Sequence, residues 1–201
     1  GLTTSFKVYA QLLRDPAFLG QSLIQFFAFG AFFAYITGSS FVYQNIYGLN
    51  AQQFSYMFGI NSCGIIAAGA ISGRLSNVIT DSQLLRFSLF QLGIGSILFL
   101  LAMLLKFPLI PTAIILFFTV CTVALFGSAS FAIAMQKYGK MAGSASAVLG
   151  CFSNVCAGIV APLVGIGGSY TGVPMGIVMV LCSALALLCY YLLVVEKSNI
   201  H

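Results

Sequence analysis

The stretch from Ile114 to Ala134 reads IILFFTVCTVALFGSASFAIA, and it decides the fold class of the chain. It is apolar nearly throughout and lies in a charge-free run over residues 107–136. One helical crossing of a bilayer needs about 20 such residues, because each residue of an α-helix rises about 1.5 Å. A membrane-spanning β-strand alternates instead between apolar and polar residues over about ten positions. The stretch therefore predicts a transmembrane α-helix.

Three further charge-free runs extend this pattern along the chain. Because charges are costly at the bilayer centre, charged residues mark the limits of the spans. Residues 16–73 and 141–195 each have room for two crossings and a hairpin, and residues 87–105 have room for one. The sequence thus predicts an all-α membrane protein, a bundle of six transmembrane helices within residues 16–196. The predicted helices are 17–38, 54–73, 86–106, 109–135, 142–165 and 173–195.

The composition of the 201 residues agrees with a membrane protein and excludes other classes. Hydrophobic residues make up 60% of the chain and charged residues 5%, whereas a soluble domain carries about a quarter charged residues. Disordered chains are polar and charged, so disorder is excluded. The net charge of +5 is not gathered in a basic cluster or stripe, which argues against nucleic acid as a partner.

Lysine and arginine residues predict the orientation, because they are enriched on the cytoplasmic side of membrane proteins. Lys106 alone falls on one side of the predicted bundle. The others, on the opposite side, are Lys7, Arg14, Arg74, Arg86, Lys137, Lys140 and Lys197. Both termini are therefore predicted to be cytoplasmic. Residues 1–15 are expected to form a cytoplasmic linker rather than a cleavable leader, and residues 197–201 a cytoplasmic tail.

The three acidic residues are all predicted to lie outside the spans. They are Asp15, Asp81 and Glu196, and the only histidine is the last residue, His201. Proton pumps usually relay protons through buried acids or histidines, so any coupling group is expected on another part of the protein or on a partner. The same pattern disfavours an enzyme, a cofactor and a metal site, because a serine nucleophile needs a base and a metal needs clustered ligands. The six cysteines lie in predicted helices, and we interpret them as packing residues.

Five amide side chains lie within or near the apolar runs: Gln21, Gln25, Asn61, Gln91 and Asn154. An amide that faces lipid is costly, so each is expected to face the bundle interior. There it can form an interhelical hydrogen bond or contact a ligand in a central cavity. The hydrogen bond is the favoured interpretation for Gln91. Both interpretations remain open for Asn61 and Asn154, which lie near the middle of their helices.

Aromatic residues cluster in the first predicted helix and in the hairpin after it. Phe26, Phe29 and Phe33 are spaced i, i+3, i+7 and share one helix face, which could line an apolar cavity or face lipid. Tyr43 and Tyr47 lie in the hairpin, where they suit the aromatic belt at the membrane interface.

Small residues repeat at four-residue spacing, which allows helices to pack closely. Gly69 with Gly73, and Gly139 with Gly143, are two such pairs. Pro162 lies within the fifth predicted helix, where proline removes a backbone hydrogen bond and can kink the helix. A kink beside glycines is a candidate gating element in a transporter.

Several motifs resemble those of a known transporter family. The second predicted helix ends in Gly-x-x-x-Gly-Arg at Gly69–Arg74, similar to the second copy of the loop motif of the major facilitator superfamily. Three longer stretches resemble its Bcr/CflA drug-resistance efflux subfamily. They are YAQLLRDPAFL at 9–19, GSSFVY at 38–43 followed by YG at 47–48 and QF at 53–54, and AGSASAVLG at 142–150 followed by AGIVAPLVG at 157–165. On this resemblance the chain is the second, C-terminal half of a twelve-helix major facilitator fold.

The resemblance implies a multidrug exporter in the bacterial inner membrane that expels small hydrophobic or amphiphilic compounds in exchange for protons. Two six-helix halves rock about a mid-membrane site by alternating access, and the proton-carrying acid belongs to the missing N-terminal half. The expected substrate contacts in this half are Gln25, Phe29, Phe33, Asn61 and Asn154. The expected gating or structural residues are Gly69, Gly73, Arg74, Gly143 and Pro162, with Arg74 as a clamp at the cytoplasmic gate.

Three alternatives remain open at the level of sequence. A superfamily importer of a small neutral metabolite would use the same cavity amides. A truncated product could persist as an inactive membrane remnant. A six-helix chain could also function as a symmetric dimer, with a second copy in place of the N-terminal half.

Overall fold

The computed structural model describes residues 9–166 and 171–195, which form a bundle of six long α-helices. The helices are α1 (Pro16–Ser40), α2 (Ala51–Leu75), α3 (Asp81–Leu104), α4 (Leu109–Tyr138), α5 (Ala142–Gly165) and α6 (Val173–Cys189). A π-helical segment at Phe41–Ile46 follows α1, and another at Tyr190–Val195 follows α6. The turn between α4 and α5, at Gly139–Met141, is 3-10 helical. The predicted all-α fold is confirmed. The predicted tail at 197–201 lies outside the described residues.

Capping side chains explain where α2 and α3 begin. Asn50 accepts a hydrogen bond from the backbone N–H of Gln53, whose side chain accepts one from the N–H of Asn50. Thr80 and Gln83 form the same reciprocal capping box at α3. Because of this cap, α3 begins at Asp81, earlier than predicted. The prediction places the limit of the span at the charged residues, whereas an acid in the first turn of a helix is favourable, so the helix extends beyond that limit.

The segment Leu109–Gly165 is helical and apolar almost throughout, so that by length and hydropathy alone it is one of five candidate spans in the described residues. It nevertheless contains two helices, α4 and α5. As a single α-helix its 57 residues would extend about 86 Å, far beyond the thickness of a bilayer. Tyr138 interrupts the helix with φ −116° and ψ 26°. Ser130 of α4 and Ser153 of α5 both hydrogen-bond to Gln25, so the chain reverses direction at this turn.

The first helix, α1, lies at the centre of the bundle. It packs against α4, α5 and α6, while α3 packs against α4 and α6. In the most apolar stretch of each span, 56% of the residues are buried for α1 but only 11% for α2. The second helix packs chiefly on α4, so most of its surface faces away from this bundle.

The segment before α1 is more than the linker predicted over residues 1–15. Residues 9–14 are helical, and Leu12 is fully buried. Leu12 and Phe18 form an apolar cluster with residues from the end of α4 and the start of α5, among them Tyr138 and Leu149. Residues 9–14 are thus helical and anchored under the helix ends by apolar side chains, and the role of residues 1–15 as a cytoplasmic linker stays a prediction.

The predicted glycine pairs do not form the close helix contacts of this bundle. A Cβ atom added at Gly73 or Gly143 would meet no neighbouring group within 4 Å. One added at Gly69 would only reach the Cβ of Ala124, at 3.8 Å. Four-residue spacing predicts a small face on a helix, but it does not predict which face meets a neighbour.

Other glycines mediate the close contacts. A Cβ atom at Gly30 of α1 would lie 2.7 Å from the sulfur of Cys156 in α5. One at Gly95 of α3 would lie 2.9 Å from the Cβ of Thr119 in α4. These separations are shorter than real Cβ contacts, so the helices approach this closely only because both positions are glycine.

Candidate substrate site

An uncharged hydrogen-bond chain joins three helices in the core. Gln21 and Gln25 lie one turn apart on α1 and are 4% and 9% exposed. The Nε2 of Gln21 donates to Ser130 Oγ of α4 at 2.6 Å, and Ser130 Oγ donates to Gln25 Oε1 at 2.9 Å. The Nε2 of Gln25 donates in turn to Ser153 Oγ of α5 at 3.4 Å. The chain pairs these buried polar groups and ties α1 to both helices.

A second buried polar cluster joins Tyr35, further along α1, to the predicted site residue Asn61 of α2. The Nδ2 of Asn61 donates to the hydroxyl of Tyr35 at 2.7 Å, and both side chains are almost fully buried. Tyr43 is also fully buried, and its hydroxyl lies near the Asn61 amide without forming a hydrogen bond to any of the described residues. An unpaired buried hydroxyl costs free energy.

Of the two hairpin tyrosines, Tyr43 does not lie at the predicted interface belt, and for Tyr47 the belt position stays a prediction. Tyr43 lies in the core, as described above. The hydroxyl of Tyr47 donates to the carbonyl oxygen of Phe107 at 2.8 Å and lies 2.7 Å from Thr112 Oγ1. This tyrosine therefore joins the first hairpin to the α3–α4 turn. The sequence shows that an aromatic residue is near a helix end, but not the direction in which its ring points.

Aromatic rings form a wall beside the Tyr35–Asn61 pair. Tyr35 stacks on Phe58 of α2, with ring centroids 6.0 Å apart and planes inclined by 9°. Phe32 stacks against Tyr35 at 6.2 Å and 24°. Phe54 contacts Phe58 at 5.9 Å and Tyr43 at 6.2 Å. The wall thus combines extended apolar surface with hydroxyl and amide groups.

Two of the three predicted phenylalanines lie together beside this wall. The rings of Phe29 and Phe33 are 6.3 Å apart, and Phe29 meets Phe126 of α4 edge-on at 5.2 Å. Phe26 packs elsewhere, against Phe152 of α5 at 6.2 Å. Side chains of the predicted face therefore contact two different helices, α4 and α5.

Asn154 joins neither polar group. Its side chain is exposed, and its Nδ2 donates to the carbonyl oxygen of Gly150, one turn earlier in α5, at 2.8 Å. The expectation that it faces the interior of this bundle is wrong, and Ser153 takes the interior position instead. Gln91 forms the predicted interhelical bond, donating from Nε2 to the carbonyl oxygen of Phe118 at 3.0 Å, but its partly exposed side chain lies on the outer side of the bundle and not in the expected interior.

The predicted gating residues lie on exposed positions of α2 and α5. Gly69, Gly73 and Arg74 lie in the last turns of α2, and Arg74 forms no ion pair within the described part of the chain. Gly143 lies at the start of α5, and Pro162 lies inside α5 near its end. Their roles in gating stay predictions.

A polar cluster at the start of α1 was missed by sequence reasoning. One oxygen of Asp15 accepts from the N–H of Ala17 at 2.9 Å and caps the helix, and the other accepts from the Tyr138 hydroxyl and pairs with Lys137 at 3.2 Å. Partial burial opposes the charge, but the hydrogen bonds and the lysine outweigh it and lower the pKa of the Asp15 carboxyl. An acid followed by proline signals a helix start. The sequence gives no signal for a partner 123 residues away.

The site offers hydrogen bonds and aromatic surface rather than charge. Asp15 and Asp81 lie at the starts of α1 and α3, outside the apolar centres of these helices. Within residues 9–166 and 171–195, no three His, Cys, Asp or Glu side chains are grouped so that they could hold a metal ion. The predicted flank residues Glu196 and His201 lie outside the described residues.

Six long apolar helices around an uncharged polar core define a multi-pass α-helical membrane protein. The family model for the Major Facilitator Superfamily matches residues 2–162. The chain belongs to this superfamily of membrane transporters, and it is not an enzyme. The resemblance seen in the sequence is thereby confirmed at the level of the superfamily.

Two bacterial proteins are similar along most of the chain. The uncharacterized MFS-type transporter YdgK of Bacillus subtilis is 38% identical over 194 residues, which cover 96% of this chain and 48% of the relative. A bicyclomycin resistance protein homolog of Haemophilus influenzae is 30% identical over 182 residues, which cover 90% of this chain and 46% of the relative. The chain thus spans about half the length of these relatives. No solved structure matches it significantly.

Proposed function

We propose that this chain is one half of a transporter that exports small hydrophobic or amphiphilic compounds by alternating access. The observation that carries the proposal is the Tyr35–Asn61 pair with the unpaired Tyr43 hydroxyl beside an aromatic wall. Aromatic surface binds the apolar part of such a compound, and amide and hydroxyl groups bind its polar part. The relative named as a bicyclomycin resistance protein homolog supports a drug as the exported compound.

The proposed substrate contacts are Gln25, Phe29, Phe33, Asn61 and Asn154. Phe29 and Phe33 supply apolar surface beside the wall, and Asn61 supplies an amide within it. Gln25 already bonds to Ser130 and Ser153, so a substrate that uses it has to compete with that chain. Asn154 faces away from this bundle, so its contact requires a cavity shared with a partner.

The proposed partner is an N-terminal six-helix half, with a second copy of this chain as the alternative. The outward faces of α2 and α5 support such a partner, because glycines on both helices meet no neighbour in this bundle and allow close approach. In this arrangement Gly69, Gly73 and Gly143 pack against the partner, Pro162 provides flexibility, and Arg74 clamps the cytoplasmic gate.

Export is proposed to be driven by proton exchange, with the coupling acid in the N-terminal half. The two acids of the described residues lie at helix starts, so this half supports no proton relay in its centre. The distribution of lysine and arginine supports a protein of the bacterial inner membrane with both termini in the cytoplasm.

The export proposal is tested by replacing Asn61. The gene at its native length is expressed in a bacterium that lacks its main drug exporters, and the minimal inhibitory concentration is measured for a panel of antibiotics. Asn61→Ala is expected to lower resistance about fivefold, the effect of one lost hydrogen bond of about 1 kcal/mol. Ser72→Ala is the matched control, because it removes a partly buried hydrogen bond between α2 and α4, to Ser128, away from the wall.

Protein levels in the membrane are measured by immunoblotting for all variants. Wild-type resistance in Asn61→Ala at an unchanged protein level would remove this residue from the site. An equal loss of resistance in Ser72→Ala would show that packing of α2, and not substrate contact, explains the effect.

An importer of a small neutral metabolite is the second candidate. The observation that favours it is the neutral amide and hydroxyl pair, which suits a neutral polar solute as well as a drug. Growth on candidate solutes distinguishes the two functions, because an importer restores growth of an uptake-deficient strain and an exporter does not. If the gene expressed at its native length changes neither resistance nor growth, the result favours an inactive remnant.

A further inference from the structure

Two adjoining hollows follow α3 on the outer surface of the bundle. One, about 450 Å³, lies between α3 and α4 and is lined by exposed apolar side chains such as Ile94, Ile114 and Phe118. The other, about 520 Å³, lies toward the N-terminal end of α3. Phe87 and Phe90 line both hollows, which therefore meet at these rings and are together called the groove.

The groove has a closed floor that separates it from the bundle interior. Gly95 and Thr119 line it, and at this point α3 and α4 are in direct contact. The proposed substrate wall lies elsewhere, on α1 and α2. The groove is therefore a surface feature outside the substrate site, and its apolar lining suits contact with lipid.

One charge and one amide interrupt the apolar lining. Arg86 lines the N-terminal part of the groove, is exposed, and has no ion-pair partner in the described ranges of the chain. Gln91 lies about 7.5 Å further along the helix axis, at 1.5 Å per residue. Its Nε2 donates one hydrogen bond, to the carbonyl oxygen of Phe118. An amide nitrogen carries two hydrogens, so Gln91 has a second one to donate into the groove.

We propose that this groove binds an anionic phospholipid of the cytoplasmic leaflet. The Arg86 guanidinium binds the phosphate, since arginine and phosphate form short, charge-assisted hydrogen bonds. Gln91 donates to an ester carbonyl, and the acyl chain lies between Ile94 and Phe118. The cytoplasmic leaflet carries the anionic lipids and attracts basic residues. The proposal rests on the proposed orientation, in which the N-terminal end of α3 is cytoplasmic.

The groove extends through most of one leaflet. From Arg86 to Leu98 the axis of α3 rises about 18 Å at 1.5 Å per residue. About 10.5 Å of this rise lies beyond Gln91, the proposed partner of the ester group, whereas one leaflet contributes about 15 Å of the roughly 30 Å hydrocarbon core. The groove therefore holds about the first two-thirds of an acyl chain, and the flexible Arg86 side chain can extend toward the headgroup region.

The test is native mass spectrometry of the purified full-length protein in detergent. Dioleoyl phosphatidylglycerol and dioleoyl phosphatidylcholine are titrated in parallel, because they share acyl chains and differ in charge. Arg86→Gln is expected to weaken phosphatidylglycerol binding about fivefold, the factor that corresponds to about 1 kcal/mol for one basic residue at an anionic surface. Binding of phosphatidylcholine is expected to stay unchanged.

Two further variants make the result specific. Arg14→Gln removes an exposed arginine before α1, away from the groove, and is expected to bind phosphatidylglycerol like the wild type. Ile94→Trp fills the groove from a side chain that is 59% exposed, and it is expected to weaken binding of both lipids. Size-exclusion chromatography confirms that each variant is folded.

Equal binding of phosphatidylglycerol by the wild type and Arg86→Gln would overturn the proposal, as would an equal loss in Arg14→Gln. If phosphatidylglycerol binding is weakened by Arg86→Gln but not by Ile94→Trp, the acyl chain does not lie in the groove. The assay measures lipid retention in detergent and not drug resistance. Its failure is therefore distinguishable from a failure of the export proposal.

Discussion

Tyr35 and Tyr43 lie in the same aromatic wall but differ in hydrogen bonding. The Tyr35 hydroxyl accepts a hydrogen bond from Asn61, whereas that of Tyr43 has no partner among the described residues. Tyr43→Phe removes an unpaired buried oxygen and is expected to leave stability unchanged or to raise it by about 1 kcal/mol. Tyr35→Phe leaves Asn61 without its acceptor and is expected to lower stability by about 1–3 kcal/mol.

The two tyrosine variants are compared by their apparent melting temperatures in the same detergent. If Tyr43→Phe is as destabilising as Tyr35→Phe, the Tyr43 hydroxyl already has a partner and is not free for a ligand. If drug resistance falls in Tyr43→Phe while the melting temperature is kept, the hydroxyl contacts the substrate.

At the scale of residues, the sequence predicted burial better than it predicted partners. Gln25 and Asn61 are buried as expected, because an unpaired amide is costly in lipid. Asn154 escapes this rule by bonding to the backbone of its own helix, which no spacing pattern reveals. Tyr43 was misplaced because a tyrosine near a helix end is common both at the interface and in a core.

At the scale of elements, charge-free runs predicted the six helices. They do so because a charged side chain at the bilayer centre has a high free-energy cost, so charges are kept out of the spans. The start of α3 was predicted too late, since the Thr80 cap carries the helix into its charged flank. The contact faces of the helices were not predicted either. Helical periodicity defines a face, and only the tertiary arrangement decides what lies opposite to it.

Gly95 and Gly73 test this distinction between a small face and a contact face. Gly95→Ala places a Cβ against Thr119, which is buried and cannot easily move, and is expected to lower the free energy of unfolding by about 1–3 kcal/mol. Gly73→Ala meets no neighbour in this bundle. It is expected to stabilise the isolated helix by up to about 1 kcal/mol, because alanine favours helices over glycine.

Both glycine variants are measured by thermal unfolding in detergent. A Gly95→Ala variant that melts like the wild type would contradict the close contact at Gly95. A strongly destabilised Gly73→Ala in the full-length protein, with Gly95→Ala also destabilised, would place a neighbour of the partner half against α2.

At the scale of the whole molecule, Asp15 links the start of α1 to the end of α4 and makes stability depend on pH. Its pKa is lowered below the ordinary value of 3.8, so the charged carboxylate stabilises the folded state. This contribution is fully present above pH 3.8 and is lost as the pH falls through the lower pKa of the folded state. The carboxylate is partly exposed, so the effect is screened by solvent.

The prediction is checked by the melting temperatures of the wild type and Asp15→Asn between pH 7 and pH 3. Asparagine still caps the helix through its one oxygen, but its amide nitrogen cannot accept from Tyr138, so the substitution removes the charge and that hydrogen bond. The wild type is expected to be the more stable protein at pH 7, and the difference is expected to shrink below pH 3.8. Tyr138→Phe removes one partner of the carboxylate and should reduce the difference. A difference that is independent of pH would contradict the assignment.

The division of the transporter into halves could not be predicted from the composition or spacing of this chain. It followed from the resemblance to a twelve-helix family, and both relatives are about twice as long as the region they share with the chain. The uneven burial of α1 and α2 is a physical sign of the same division, since α2 has few neighbours within this bundle.

The hydrogen-bond chain in the core has a consequence for synthesis. Gln21 and Gln25 of α1 meet their serine partners on α4 and α5 only across 109, 105 and 128 residues. A ribosome that adds about 5–20 residues per second needs about 5–25 s to make that length of chain. During this time both amides lack their partners, and exposure to lipid would be costly. Stable insertion of α1 therefore depends on shelter by the insertion machinery until the later helices emerge.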